Sequence, residues 1–218
     1  FDNVILRNGA KVIADQGLTL SGRLLITGGS ALSHSGGNEA GLVINAAIVQ
    51  VDEGSAIDVT GRGYSGGKGS EKSGRTLGNI SGAQEGAGGS YGGIGAGHEL
   101  RDSYAAYGNP ANPVFLGSGG GAWDDNDGGN GGGRIEINAT EAVIVDGTIR
   151  ANGADSSGSA AGAGSGGSIL VHTSRLEGTG VIEANGGGNG VGAAGGGGRV
   201  AIYLDYTAQG RDLSSLRN

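Results

Sequence analysis

GRIEINATEAVIVDGTIRANG, residues 133–153, decides the fold. The stretch opens and closes on glycine, and its apolar residues recur two apart: Ile135 and Ile137, Val143 and Val145, Ile149 and Ala151. That is the alternation of a strand with one face turned inward, not the period of a helix. Glycine disfavours helix throughout, at about 1 kcal/mol per position against alanine, and 53 of the 218 residues are glycine.

The same pattern occurs at 9–28, 41–61 and 167–186, and opens again at 198–205 with GRVAIYLD. Aligned from the first glycine, the copies offer three strand slots. The first holds Val12/Ile13, Val43/Ile44, Ile135/Ile137, Ile169/Val171 and Val200/Ile202; the second holds Leu18/Leu20, Val49/Val51, Val143/Val145 and Leu176. The third holds Leu24/Ile26, Ile57/Val59, Ile149/Ala151 and Ile182/Ala184. A unit this short cannot bury its apolar face alone, so the copies must stack. The pattern predicts an all-β fold: a right-handed parallel β-helix, three short strands per coil, with glycine-rich loops along one edge. Residues 1–218 read as a single domain with a large insertion at 62–132. The glycine excursions near 29–40, 154–166 and 187–197 would pack as extended strands bonded to one another, since only a residue without Cβ allows such approach; flexible surface loops are the alternative. Thr27, Thr60, Asn152 and Asn185, each just before a glycine, are expected to stack as an internal polar ladder. The pattern drifts after Asp205, which predicts that the segment belongs to a longer chain.

Composition narrows the class. A formal charge of −7 without a Lys/Arg cluster argues against nucleic acid or an anionic membrane as partner. No apolar run approaches the ~20 residues of a membrane span. Glycine lacks the strict third-residue period of collagen, and the absence of cysteine removes disulfides and thiol chemistry.

The motifs GGSYGG (88–93), YGNPANPVFLGSGGG (107–121), GGGRIEI (131–137), VDGTIRANG (145–153), GSGGSILV (164–171) and GGGGRVAIYLD (195–205) resemble the glycine-rich parallel β-helix segments of very large secreted or cell-surface proteins, chiefly bacterial. The resemblance covers Gly88 to Leu204 directly and implies a fold and an extracellular or cell-surface setting. It implies no activity and no catalytic residue.

Several constellations bear on chemistry. The outward third-slot positions include Asp58, Arg150 and Glu183, which would serve as an acid/base or saccharide-carboxylate site or as a charge ladder on a solvated face. The 62–132 insertion holds six of the nine aromatics, among them Tyr91, Tyr104, Tyr107 and Trp123. Next to Trp123 runs Asp124-Asp125-Asn126-Asp127. Rings that meet a sugar's C–H face, beside carboxylates that accept its hydroxyls, suit glycan binding; an aromatic mini-core is the alternative. Asp124, Asp125 and Asp127 are also weak calcium candidates, although the run lacks EF-hand order and no cofactor is expected. GAGSGG at 162–167 matches a dinucleotide fingerprint only in its letters, because it precedes a strand.

The expectation is a secreted or surface structural or adhesin module that binds a polysaccharide or cell-surface glycan through 62–132, near Arg134 and Arg150. The alternative is a polysaccharide lyase or hydrolase, or a fragment of one, acting on an outer β-face. Nucleic acid and a membrane span are not expected, whereas the rest of a larger chain is an expected partner.

Overall fold

The computed structural model describes residues 1–98, 101–188 and 192–205. Fifteen strands form: β1 (Val4–Leu6), β2 (Lys11–Ile13), β3 (Leu18–Thr19), β4 (Arg23–Ile26), β5 (Ala31–Ser33), β6 (Leu42–Val51), β7 (Ala56–Asp58), β8 (Arg75–Thr76), β9 (Ile80–Ser81), β10 (Arg134–Val145), β11 (Thr148–Arg150), β12 (Ser168–Thr173), β13 (Leu176–Glu177), β14 (Val181–Glu183) and β15 (Arg199–Leu204). Apart from the small antiparallel β8–β9 pair, they lie in two parallel sheets. The larger has eight strands, ordered β1-β4-β6-β10-β12-β15 with β3 on β6 and β13 on β10; the smaller has five, ordered β14-β11-β7-β5-β2.

Three apolar rows cross these sheets. In the larger sheet, Leu18, Ile44, Ile137, Val171 and Ile202 follow one another in register. Val4, Leu24, Val49, Val143 and Leu176 form a second row. In the smaller sheet, Val12, Leu32, Ile57, Ile149 and Ile182 form the third. Leu24, Val49 and Val143 share one core with Leu32, Ile57 and Ile149, all fully buried, so the two sheets face each other. Each such side chain contributes roughly 1.5–3 kcal/mol on burial.

The expected right-handed parallel β-helix with three strands per coil is corrected by this arrangement: the strands fall in two sheets, not on three faces. The reason lies between the first and second slots. No glycine separates Ile44 from Val49 or Ile137 from Val143, so each pair lies on one long strand, β6 or β10, with only a local register shift between Ala139 and Ala142. The phase of the first copy is also corrected. Val12 pairs with Leu32, Leu18 with Ile44 and Leu24 with Val49, so each of its pairs sits one slot away from the expected place. The expected internal polar ladder does not form. Thr27 follows β4 in the larger sheet, its amide bonded to the Leu6 carbonyl, while Thr60 and Asn185 are exposed. Asn152 and Asn185 do meet, at the surface, through an Asn185 N–H to Asn152 Oδ1 bond of 2.7 Å.

The glycine segments do not line one edge as separate loops. They form a bundle in which 63–67, 117–121, 128–133, 162–166 and 193–197 bond to one another, and the donors recur every third residue. Tyr64 and Gly67 donate to Gly117 and Gly120; Gly117 and Gly120 donate to Gly132 and Gly129; Gly128 and Gly131 donate to Gly67 and Tyr64. Gly129 and Gly132 donate to Gly162 and Ser165, and Ala163 and Gly166 to Ala193 and Gly196. A step of three is the turn of an extended polyproline-II helix, which has no internal bonds and so offers every amide to a neighbour. Glycine is required here by approach: a Cβ on Gly120, Gly129 or Gly164 would fall less than 3.0 Å from the carbonyl oxygen of Gly162, Ala154 or Asn130 respectively. The 62–132 segment is thus interleaved with 153–167 and 193–198.

Candidate functional site

Tight turns follow two of the bundle segments, their flanking residues bridged in antiparallel fashion, Lys68 with Glu71 and Trp123 with Asn126; Asn109 bridges Asn112 and His98 bridges Arg101 in the same sense. Trp123 exchanges both backbone bonds with Asn126, at 3.0 and 2.8 Å. Between them Asp124 takes a left-handed conformation, φ 47°, which a short polar residue tolerates better than a bulky one. The half-buried indole meets the His98 ring edge-on at 4.5 Å. Asp124 and Asp125 are exposed, and the Asp124 carbonyl accepts from Lys72 Nζ. Asp127 turns elsewhere: its amide donates to Ser157 Oγ at 2.7 Å and its carboxylate lies 3.7 Å from Lys68 Nζ. The three aspartates therefore do not converge. Among the described residues, no three His, Cys, Asp or Glu side chains gather as a metal-binding group.

The other aromatics separate from Trp123. Tyr91 is fully buried and its hydroxyl meets Ser168 Oγ at 2.7 Å. Its ring packs 4.9 Å from Tyr107 and lies under the Arg199 guanidinium at 5.5 Å. Tyr107 donates to the Leu116 carbonyl at 2.6 Å and packs edge-on against Phe115. Burial pushes the hydroxyls of both tyrosines up from the ordinary pKa. Tyr91 and Tyr107 thus join the 62–132 segment to β12 and β15. Tyr104 is exposed.

Asp58, Arg150 and Glu183 do lie in one row across β7, β11 and β14. Arg150 Nε pairs with Asp58 Oδ2 at 3.0 Å. The Glu183 carboxylate turns instead to Asn152 Nδ2 at 2.8 Å and Asn185 Nδ2 at 3.0 Å. The three are occupied with surface partners, as a charge ladder is.

Two clefts adjoin where 62–132 meets the strands, and composition gave no hint of them. Their common wall is Tyr64, whose hydroxyl donates to Glu39 Oε1 at 2.8 Å and accepts the Gly78 N–H at 3.2 Å. Tyr64 is buried, and burial, followed by the bond to Glu39, pushes its pKa up to about 12. One cleft, about 410 Å³, is walled by Gly36, Gly37, Gly63, Ser65, Asn79 and Asn130 beside the shared pair. The other, about 420 Å³, is lined by Leu77, Val114, Phe115, Leu116 and Arg134 beside the same pair. Arg134 is held by Glu136 at 2.6 Å and by the Ala40 carbonyl at 3.2 Å. A groove at Arg134 was expected, but neither Trp123 nor Arg150 lines it.

Sequence reasoning also missed His34. It is fully buried. Its Nε2 accepts the Arg134 N–H at 3.1 Å, so Nδ1 carries the proton and donates to the Ser35 carbonyl at 2.7 Å. Burial lowers its pKa, with the Ser35 bond and Asp15 acting the other way. The signal was present: Ser30-Ala31-Leu32-Ser33-His34 matches Ser55-Ala56-Ile57-Asp58-Val59, which sets His34 in the place of a core valine.

No helix among the described residues is long and apolar enough to cross a membrane. No protein-family model, curated protein or solved structure matches the chain.

Proposed function

We propose that the chain is a non-catalytic module of a secreted or surface-displayed protein that holds a glycan in the two clefts flanking Tyr64 and Glu39. The observation that carries this reading is the composition of the clefts. In one cleft Phe115, Leu77 and Val114 offer an apolar lining beside Glu39 and Arg134; in the other Asn79 and Asn130 join Glu39 as polar groups. A sugar ring has an apolar C–H face and a rim of hydroxyls, and concave sites with few polar groups on an apolar lining are where such ligands bind. One cleft lies between residues 36–39 and the glycine segments at 63–65 and 130, and the other reaches Arg134 at the start of β10.

A second reading places the glycan at the Trp123 turn, because the half-buried indole stands beside the exposed Asp124 and Asp125. Retention on a panel of immobilised polysaccharides separates the two. Glu39→Ala is expected to weaken retention at least tenfold, the loss of about 1.4 kcal/mol of charged hydrogen bonding, while Trp123→Ala leaves it unchanged. The reverse result moves the ligand to the turn, and a wild-type chain retained on no polysaccharide refutes glycan binding.

A further inference from the structure

The two ends of the paired sheets are complementary. At one end, among the described residues, the larger sheet stops on β15, β13 pairs with β10 alone, and the smaller sheet stops on β14. The apolar rows are open there: Val200 and Ile202 are 42% and 38% exposed, although their in-register neighbours Ile169 and Val171 are fully buried. At the other end β1, β2 and β3 each have one edge unpaired among the described residues, and Val4, Val12 and Leu18 pack on the core while only partly buried. The stagger also matches. β15 reaches one strand beyond the level of β13 and β14, whereas β3 stops one strand short of β1 and β2. A step out at one end meets a step in at the other.

We propose that these ends join in parallel between copies of the chain, with β3 of one copy on β15 of the next, β1 on β13, and β2 on β14. Continuing the observed register sets Leu18 against Ile202, Val4 against Leu176 and Val12 against Ile182, so each apolar row passes from one copy into the next. The same register sets Ile5 opposite Glu177 and Ile13 opposite Glu183. Lys11 lies two positions from Ile13 on the same outward face of β2, and Arg7 follows β1; both are exposed and bring positive charge near the two carboxylates, beside the Arg175 that already meets Glu177 at 2.7 Å. Free strand edges with apolar residues exposed are templates for pairing. The two ends differ, so the contact is heterologous, and parallel pairing in continued register stacks the copies along one direction, so it repeats without closing.

Sedimentation velocity on the 218-residue chain over a hundredfold concentration range tests this. The expected result is a concentration-dependent ladder of linear oligomers. Ile202→Lys and Leu18→Lys each block one end, so either variant alone stays monomeric. An equimolar mixture of the two forms a dimer and nothing larger, because each variant keeps the opposite end intact; circular dichroism identical to wild type establishes that both are folded. Glu177→Lys, an exposed change, weakens association at least tenfold at low salt. A wild-type chain that is monomeric throughout, single variants that still form ladders, or a mixture of folded variants that does not dimerise would overturn the proposal.

Discussion

The four consecutive glycines 195–198 provide a sharp perturbation, because the structure gives identical residues different surroundings. A Cβ on Gly195, Gly196 or Gly198 would fall less than 3.0 Å from the carbonyl oxygen of Gly164, Gly93 or Gly167, whereas a Cβ on Gly197 meets nothing within 4 Å. None of the four is among the glycines with positive φ, so alanine brings no backbone strain and the cost is one of approach alone. Gly195 donates to Gly187 at 3.0 Å, and Gly196 accepts from Gly166 at 3.0 Å and donates to Gly89 at 2.9 Å. Moving the segment to admit a methyl group costs roughly 1–3 kcal/mol of overpacking, and each stretched bond costs about 1 kcal/mol more. Gly195→Ala and Gly196→Ala should therefore destabilise by about 2–5 kcal/mol, a Tm loss of roughly 5–15 °C for a chain of this size. Gly197→Ala should be neutral or stabilising by up to about 1 kcal/mol, through the unfolded state. Thermal and urea denaturation of the four alanine variants is the assay. Four equal responses, or four silent ones, would refute the reasoning.

Two further outcomes follow from the same geometry. His34 has a folded pKa below its ordinary 6.5, so the unfolded chain binds the extra proton first; its contribution to stability is full above pH 6.5 and is lost as pH falls toward and through the folded value. Urea titrations at pH 7.5 and 5.0 should show that loss in wild type and a smaller one in His34→Val, and equal losses would contradict the assignment. Asp58→Asn breaks the pair with Arg150, whose side chains are 30% and 40% exposed, and should cost no more than about 1 kcal/mol; a loss several times larger in urea denaturation would show that the row is more than a surface ladder.

The sequence exposed some of this architecture and concealed the rest for identifiable reasons. Ile57, Ile149 and Ile182 could be aligned because a glycine precedes each within a few residues, and they do stack. The first copy could not be phased, since Val12-Ile13 and Leu18-Thr19-Leu20 are equivalent apolar pairs and either fits the register of Ile44. The merging of two slots on β6 and β10 is readable in the missing glycine between Ile44 and Val49 and between Ile137 and Val143. Close packing of glycine was legible as a need of the residue type, but its partners were not: Gly129 bonds to Gly162 and Gly117 to Gly132, and no periodicity within one segment names the other. Aromatic content marked 62–132 as distinctive without distinguishing Tyr91, which packs, from Trp123, which is half free. The clefts escaped notice because Glu39 and Arg134 lie outside that segment and meet Tyr64 only in three dimensions.

Amide hydrogen exchange resolved by residue tests most directly the claim that the glycine segments are a hydrogen-bonded body on which the clefts are built. The amides of Gly120, Gly129, Gly132 and Gly166, each bonded to a neighbouring segment, should exchange as slowly as those of the buried strand residues Ile137 and Val143. Rapid exchange through 117–132 and 162–166, with protection confined to the two sheets, would contradict it.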